Sequence, residues 1–311
     1  MGWPVAAVVV PLLSAGLVVV NALAFWLLRR GAERTTGGVA FPPPSSLDIV
    51  GTIWCTEDAP FGGRALLQAG ANRRRQVRLL AFRLAVLIWM IFVQVLQWRQ
   101  ENSWRKALFY TVWNYHWQIL FWACATTASA STILHGTAEL PGTARIEYLS
   151  PRFRTVLGIL FEVSLPMTFF VSIVLWGVLA PVAAENGKGW QVFTFYSYNQ
   201  HALNTLCTLV EFCINRLLIV RHHMILVLVW SSIYCVFSWI QHAFTDFWPY
   251  FFLQLNFAAL FWYALLLLLH VALFSAAVCA SDWKRRKIGL AMGSHCDCDI
   301  LRERSDIHSE S

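Results

Sequence analysis

The chain has 311 residues, of which 58% are hydrophobic and only 13% are charged. Soluble domains carry about twice that fraction of charged residues. The apolar residues come in long blocks, which indicates membrane-spanning helices and excludes an ordinary soluble domain. The net charge of +7 does not indicate a nucleic-acid partner, because most Lys and Arg lie in short clusters at the ends of the apolar blocks.

About seven apolar segments predict an all-α fold, a polytopic transmembrane helical bundle. The expected spans cover residues 4–28, 77–98, 107–135, 153–182, 198–219, 224–244 and 250–280. The chain then divides into a first transmembrane helix within 1–30, an irregular cytosolic loop over 31–76, a six-helix membrane core over 77–283, and a tail over 284–311. The tail is basic and then polar, so we expect it to be disordered.

The distribution of basic residues predicts the orientation of the bundle, because cytosolic loops carry an excess of Lys and Arg. With seven spans, most basic residues fall on the face that holds the C-terminus, and the opposite face receives only Arg99, Arg105, Lys106 and Lys188. We therefore expect a cytosolic C-terminus and a non-cytosolic N-terminus. No address signal separates the endomembrane system from the plasma membrane. The sequence indicates no metal and no cofactor, since Cys296 and Cys298 alone are too few for a zinc site.

Polar residues from separate segments are expected at one depth, near the non-cytosolic ends of their helices. One polar stripe within residues 198–211 comprises His201, Asn204, Thr208 and Glu211. The span 107–135 contributes Thr111, Trp113 and Asn114. The span 224–244 contributes Trp239 and His242. Helices with one polar side line a wet cavity or a binding site. The alternative is that these side chains only join helices by hydrogen bonds.

Two acidic residues, Glu162 and Glu211, lie deeper in their spans. A carboxylate in a membrane is costly unless it is paired or protonated. We expect Glu162 to contact Arg83 or Arg216, and Glu211 to be either a protonated hydrogen-bond donor or a partner in an ion pair. A proton-carrying or substrate-binding role for these carboxyl groups is the alternative.

Thr111 is the candidate nucleophile of the polar cluster. A threonine hydroxyl can attack an ester when a base takes its proton and donors hold the oxyanion. The candidate bases are His201, His242 and His116, and the candidate donors are Asn114, Asn204 and the Trp indoles. The candidate substrate is a lipid ester, because the cavity would open among helices that face acyl chains. Trp113, Trp239 and Glu211 complete the expected binding residues.

Three motifs occur in order over residues 77–283. They are Tyr110-Thr111-x-Trp113-Asn114, then Gln200-His201-x-x-Asn204-Thr205 followed by Glu211, and Trp239-x-x-His242 followed by Trp248-Pro249-Tyr250-Phe251-Phe252. In order and spacing they resemble the androgen-induced protein family, which includes the androgen-dependent regulator of tissue-factor-pathway inhibitor and, more distantly, rolling stone. The resemblance implies a membrane threonine hydrolase that cleaves fatty acid esters of hydroxy fatty acids.

The resemblance places the catalytic threonine at Thr111 and the catalytic histidine at the position of Asn204. A neutral asparagine cannot act as a general base. Either His201 or His242 takes that role, or the protein is non-catalytic, as the rolling stone branch implies, and acts through lipid binding or protein contacts. A transporter-like protein is the third alternative, supported only by Glu162 and Glu211. Membrane lipids are the expected partners, and no protein partner can be assigned.

Overall fold

The computed structural model describes residues 12–13, 15–16, 64–100, 103–135, 149–215 and 217–309. Every regular element among these residues is helical. The predicted first span at 4–28 and most of the predicted loop at 31–76 lie outside the described residues. The last part of that loop is already helical, because the first long helix begins at Arg64. Its opening residues are mostly Ala, Leu, Gln and Arg, which favour helix.

The principal helices are α1 (Arg64–Trp98), α2 (Tyr110–His135), α3 (Pro151–Val174), α4 (Asn204–Ile214), α5 (Met224–Thr245) and α6 (Phe257–Ser309). Short helical pieces connect them. These are 3₁₀ turns at Ser103–Leu108, Arg221–His223 and Phe251–Leu253, π-helical turns at Leu175–Leu179 and Tyr198–Leu203, and brief helices at Ala180–Glu185, Gly189–Val192 and Phe195–Ser197.

Four helical segments are long and apolar enough to cross a membrane, as expected of an integral membrane protein. They are Arg73–Trp98, Arg152–Glu185, Met224–Thr245 and Phe257–Arg286. Two of the predicted spans within the described residues do not reach that standard. The helix α2 has 26 residues but carries many polar side chains. The helix α4 is too short.

The helix α4 ends at Ile214, although the sequence predicted a span to residue 219. Asn215 follows in an extended conformation, with φ −87° and ψ 171°. On either side of Asn215, Lys284 of α6 donates from Nζ to two carbonyl oxygens, that of Phe212 at 2.7 Å and that of Leu217 at 3.0 Å. The last carbonyls of a helix lack partners within the helix, and a cation there also offsets the helix dipole. Lys284 therefore stabilises this early end.

The helix α6 continues to Ser309, where the sequence predicted a disordered tail over 284–311. Arg, Lys and Leu recur after the apolar part of α6 and favour helix. Extending a formed helix also avoids the unfavourable nucleation step. The basic run at its start is not wholly solvated, because the side chain of Lys284 is buried.

Aromatic side chains fill the centre of the bundle and fix the start of α2. Phe121 of α2 lies 5.6 Å from Phe161 of α3 between ring centroids, and both rings are fully buried. Near the start of α2, Trp113 contacts Trp230 and Phe237 of α5 at 5.7 Å and 4.7 Å. These contacts hold the first turn of α2 against α5.

Candidate functional site

Thr111, in the first turn of α2, lies where two cavities meet. The first has a volume of about 830 Å³ and many polar lining residues, and we call it the polar cavity. The second has a volume of about 280 Å³ and is lined mainly by Leu, Val and Phe, and we call it the apolar cavity. Four residues line both cavities: Thr111, Leu175, Leu179 and Tyr250. The two spaces therefore meet along these four residues.

The polar cavity is lined by amides and cations from several elements. Its polar lining residues include Gln97, Gln100, Lys106, Lys188, Gln200 and His201. The described lining residues include neither Asp nor Glu. Lys106 donates from Nζ to Oε1 of Gln100 at 2.6 Å and lies 5.4 Å from the ring centroid of Tyr196. Partial burial lowers the pKa of the Lys106 ammonium from its ordinary value. The described lining of the cavity therefore carries a net positive charge.

A chain of three hydrogen-bonded side chains lies on the wall of the apolar cavity. Oγ of Ser231 is 2.8 Å from Nε2 of His270 and 2.6 Å from the hydroxyl of Tyr110. Nδ1 of His270 is 2.7 Å from the carbonyl oxygen of Leu266. Neither Ser231 nor His270 was among the predicted site residues. They are separated by 39 positions on two helices, so no local spacing in the sequence connects them.

Thr111 and His201 line the same polar cavity. His201 lies in the π-helical turn before α4, with its imidazole beside the carbonyl of Val171. Its buried Nδ1 has no hydrogen-bond partner among the described residues. The backbone N–H of Thr111 donates to the hydroxyl of Tyr250 at 3.5 Å. Within the described part of the chain, no hydrogen bond joins Thr111 to His201 or His242.

His242 lies at the end of α5, away from both cavities at Thr111. Its ring stacks on Trp248 with a centroid distance of 3.8 Å and an interplanar angle of 21°. Nε2 is 3.9 Å from a carboxylate oxygen of Asp246. Among the described lining residues of the two cavities, His242 is not included. Trp239, one turn earlier, donates from Nε1 to the hydroxyl of Tyr263 at 2.7 Å.

The two candidate asparagines occupy different surroundings. Nδ2 of Asn114 donates to the carbonyl of Tyr110 at 2.9 Å, and its Oδ1 accepts from Trp230 at 3.2 Å. Asn204 lines a third cavity of about 200 Å³, beside Trp89. Its Oδ1 is buried without a partner among the residues that the structure describes. The position at which the resemblance implies a catalytic histidine therefore lines a different cavity from Thr111.

Trp113 and Glu211 make contacts within the bundle. Trp113 donates from Nε1 to the carbonyl of Ala107 at 2.8 Å. Glu211 accepts from Nε and Nη2 of Arg83 at 3.1 Å and 2.5 Å, and both side chains are 0% exposed. Asn215 donates to the same carboxylate at 3.0 Å. Of the two alternatives for Glu211, the structure has the ion pair.

Glu162 is paired with His223, not with Arg83, so the predicted contact with Arg83 is wrong. The side chain of Arg216 is not described. Arg83 also donates from Nη1 to the carbonyl of Ala125 and to Ser129, at 3.1 Å and 2.7 Å. These acceptors hold its guanidinium beside α2, within reach of Glu211. The described residues include no group of three His, Cys, Asp or Glu that could hold a metal ion.

Comparison of the chain with family models, curated proteins and solved structures returned no match in any of the three. The resemblance to the androgen-induced protein family stays a prediction drawn from the three motifs.

Proposed function

We propose that this protein binds an amphiphilic lipid with an anionic headgroup at Thr111. The headgroup occupies the polar cavity, and the hydrocarbon chain occupies the apolar cavity. The observation that carries this proposal is the set of residues shared by the two cavities, which includes Thr111 and Tyr250. A ligand that crosses this junction must be polar at one end and apolar at the other.

Charge supports an anionic headgroup. Lys106 and Lys188 line the polar cavity, and its described lining residues include no carboxylate that would neutralise them. An ammonium group attracts carboxylate and phosphate oxygens as a point charge, and the amides of Gln97 and Gln200 supply further donors. The volume of about 830 Å³ falls within the usual range for small-molecule sites, about 300–1,000 Å³.

Apolar area supports a hydrocarbon chain on the other side of the junction. Side chains such as Phe170, Val174 and Leu228 line the apolar cavity. A hydrocarbon chain that leaves the bilayer for this cavity stays in apolar surroundings, so its transfer is close to neutral in free energy. The energy and the specificity of binding would come mainly from the headgroup contacts.

A saturation binding measurement tests this proposal. Purified protein in lipid nanodiscs is titrated with a photo-crosslinkable long-chain fatty acid, whose carboxylate serves as the anionic head. The double variant Lys106→Gln/Lys188→Gln should bind at least about tenfold more weakly, because each hydrogen bond to a charged group contributes roughly 1.5–3 kcal/mol. Arg105→Gln is the matched control, since this neighbouring cation is exposed and is not a lining residue. Absence of saturable binding, or an equal loss in the control, would contradict the proposal.

Hydrolysis of a lipid ester by Thr111 is the second candidate function. The observation that favours it is that Thr111 and His201 line the same cavity, with Nδ1 of His201 buried and unpartnered among the described residues. A lipid that brings the two side chains together would complete a nucleophile and a base. Ester cleavage that is lost in Thr111→Ala, with fatty acid binding retained, would establish this candidate over simple binding.

A further inference from the structure

We propose that Ser231, His270 and Tyr110 form an ester-cleaving site in the apolar cavity, separate from the Thr111–His201 pair. Ser231 is the nucleophile, His270 is the base, and the substrate class is a long-chain acyl ester. The proposal rests on the proposed function in one respect, because it requires that a lipid chain enters the apolar cavity.

The hydrogen bonds of His270 fix its tautomer. Its Nδ1 is 2.7 Å from the carbonyl oxygen of Leu266, which can only accept, so Nδ1 carries the proton. Nε2 of the neutral ring then has a lone pair, and the Ser231 hydroxyl lies 2.8 Å from it. Ser231 therefore donates to His270, as a nucleophile donates to its general base. Phe170 packs on the imidazole, with ring centroids 3.8 Å apart, and limits its rotation.

Tyr110 supplies the third group. Because the Ser231 proton is directed at His270, the Tyr110 hydroxyl, 2.6 Å from Oγ, donates to Ser231. When Oγ attacks an ester, negative charge develops on the ester carbonyl oxygen. The Tyr110 hydroxyl can then donate its hydrogen bond to that oxygen instead of to Oγ. The ring of Tyr110 is held 4.5 Å from the ring of Tyr234, so the donor is preorganised.

The reaction is an acyl transfer to serine followed by hydrolysis. Oγ of Ser231 forms a bond to the ester carbonyl carbon as its proton passes to Nε2 of His270. The C–O bond to the alcohol then breaks, and the alcohol leaves with the proton from His270. Water adds to the acyl-serine, gives its proton to His270, and releases a fatty acid while Oγ recovers the proton. The adjoining polar cavity is the source of that water, and no oxidant or second substrate is needed.

A purely structural role is the alternative, since the same hydrogen bonds join α2, α5 and α6. The two roles differ in one property. A serine that donates to an oriented histidine reacts with a fluorophosphonate probe, whereas an ordinary structural serine does not. Ser232 is the natural comparison, because it is adjacent in the chain and lines the same cavity.

The experiment labels the full-length protein in nanodiscs with an alkyl fluorophosphonate and identifies the modified residue by peptide mass spectrometry. We expect labelling at Ser231, its complete loss in Ser231→Ala, and its retention in Ser232→Ala. His270→Gln should slow labelling at least about 100-fold, because a positioned base typically contributes 10²–10⁴-fold. Thermal unfolding of each variant in detergent shows whether it is folded.

Absence of labelling at Ser231 in folded wild-type protein would overturn this proposal, whether or not Thr111 is labelled instead. Photo-crosslinking of the long-chain fatty acid is measured on the same samples. Crosslinking without labelling rejects the Ser231 site and leaves the lipid-binding function standing. Loss of both rejects both proposals, so the two failures are distinguishable.

Discussion

Arg83 and Glu211 are both fully removed from solvent and form an ion pair. Burial of a single ion in an apolar medium costs several kcal/mol, and close pairing with further hydrogen bonds recovers most of that cost. Arg83 has those further bonds, to Ala125 and Ser129, and Glu211 has one from Asn215. The burial of either side chain would be strongly unfavourable without the other.

Removal of one partner should therefore destabilise more than removal of both. We expect Arg83→Met to lower the free energy of unfolding by about 3–5 kcal/mol, because Glu211 would remain as an uncompensated buried charge. The double variant Arg83→Met/Glu211→Met should recover part of this loss. Denaturant unfolding in detergent, followed by Trp fluorescence, measures all variants.

The control for this prediction is the exposed ion pair Arg221–Asp282, whose arginine side chain is 78% exposed. Arg221→Gln should change stability by less than about 1 kcal/mol. A loss in Arg83→Met that is no larger than this would contradict the interpretation that the Arg83–Glu211 pair is a structural centre of the bundle.

Thr111, His201 and His242 were expected at one level of the membrane. Thr111 and His201 line one cavity, whereas His242 is not among the described lining residues of either cavity. Partners were harder to predict, because hydropathy and periodicity give depth and face but not which helices are neighbours. The pairing of Glu162 with His223 was not predicted for this reason. His270 was not predicted as a site residue, because no polar residue lies at helical spacing from it.

At the scale of elements, the π-helical turn Tyr198–Leu203, which precedes α4, itself supplies residues to the polar cavity. A π turn inserts an extra residue into a helix and changes the direction of the side chains on either side. Gln200 and His201 are consecutive, and both are buried and line that cavity. A regular helical projection of 198–211 could not place them together, so this part of the site was not predictable from periodicity.

The end of α4 depends equally on a distant element. Lys284 contacts the carbonyl of Phe212 from 72 positions away in the chain. Ser281, also on α6, accepts a hydrogen bond from the backbone N–H of Ile219 at 2.7 Å. These two side chains hold the extended segment after α4, which local propensity alone predicts to be helix.

Lys284→Met should release that segment. We expect faster hydrogen exchange at the amides of residues 217–220, because the carbonyls of Phe212 and Leu217 would lose a charged donor inside the protein. Exchange in the centre of α2 should change much less. Arg286→Met is the control, since Arg286 lies on the same helix and is exposed. Equal exchange in Lys284→Met and wild type would contradict the proposed stabilisation of the end of α4.

The described part of the molecule has long apolar helices. Fold class and membrane character were predictable because they depend on composition and block length. The orientation stays a prediction. It depends on Lys and Arg in loops, and two residues on the basic face, Arg154 and Lys284, are buried. The rule that predicts orientation counts Lys and Arg in short loops, and these two side chains are instead packed inside the protein.

Single cysteines near the two ends test the orientation. Lys188 lines the polar cavity, and Arg286 is the last residue of the apolar segment of α6. We expect a membrane-impermeant maleimide to label Arg286→Cys only when the reagent is given access to the cytosol. We expect it to label Lys188→Cys only from the opposite side of the membrane. Labelling of wild type, which contains the exposed Cys213 and Cys279, is subtracted. The reverse pattern would show that the bundle has the opposite orientation.

The Arg83–Glu211 pair also constrains how the protein can be made. The two residues are 128 positions apart in the chain, and synthesis proceeds from the N-terminus. Arg83 therefore leaves the ribosome, and α1 reaches the membrane, before Glu211 has been translated. In that interval the guanidinium must be kept in contact with water, lipid headgroups or another protein. The arrival of α4 ends this interval, so the packing of α1 is completed late in biogenesis although α1 itself is made early.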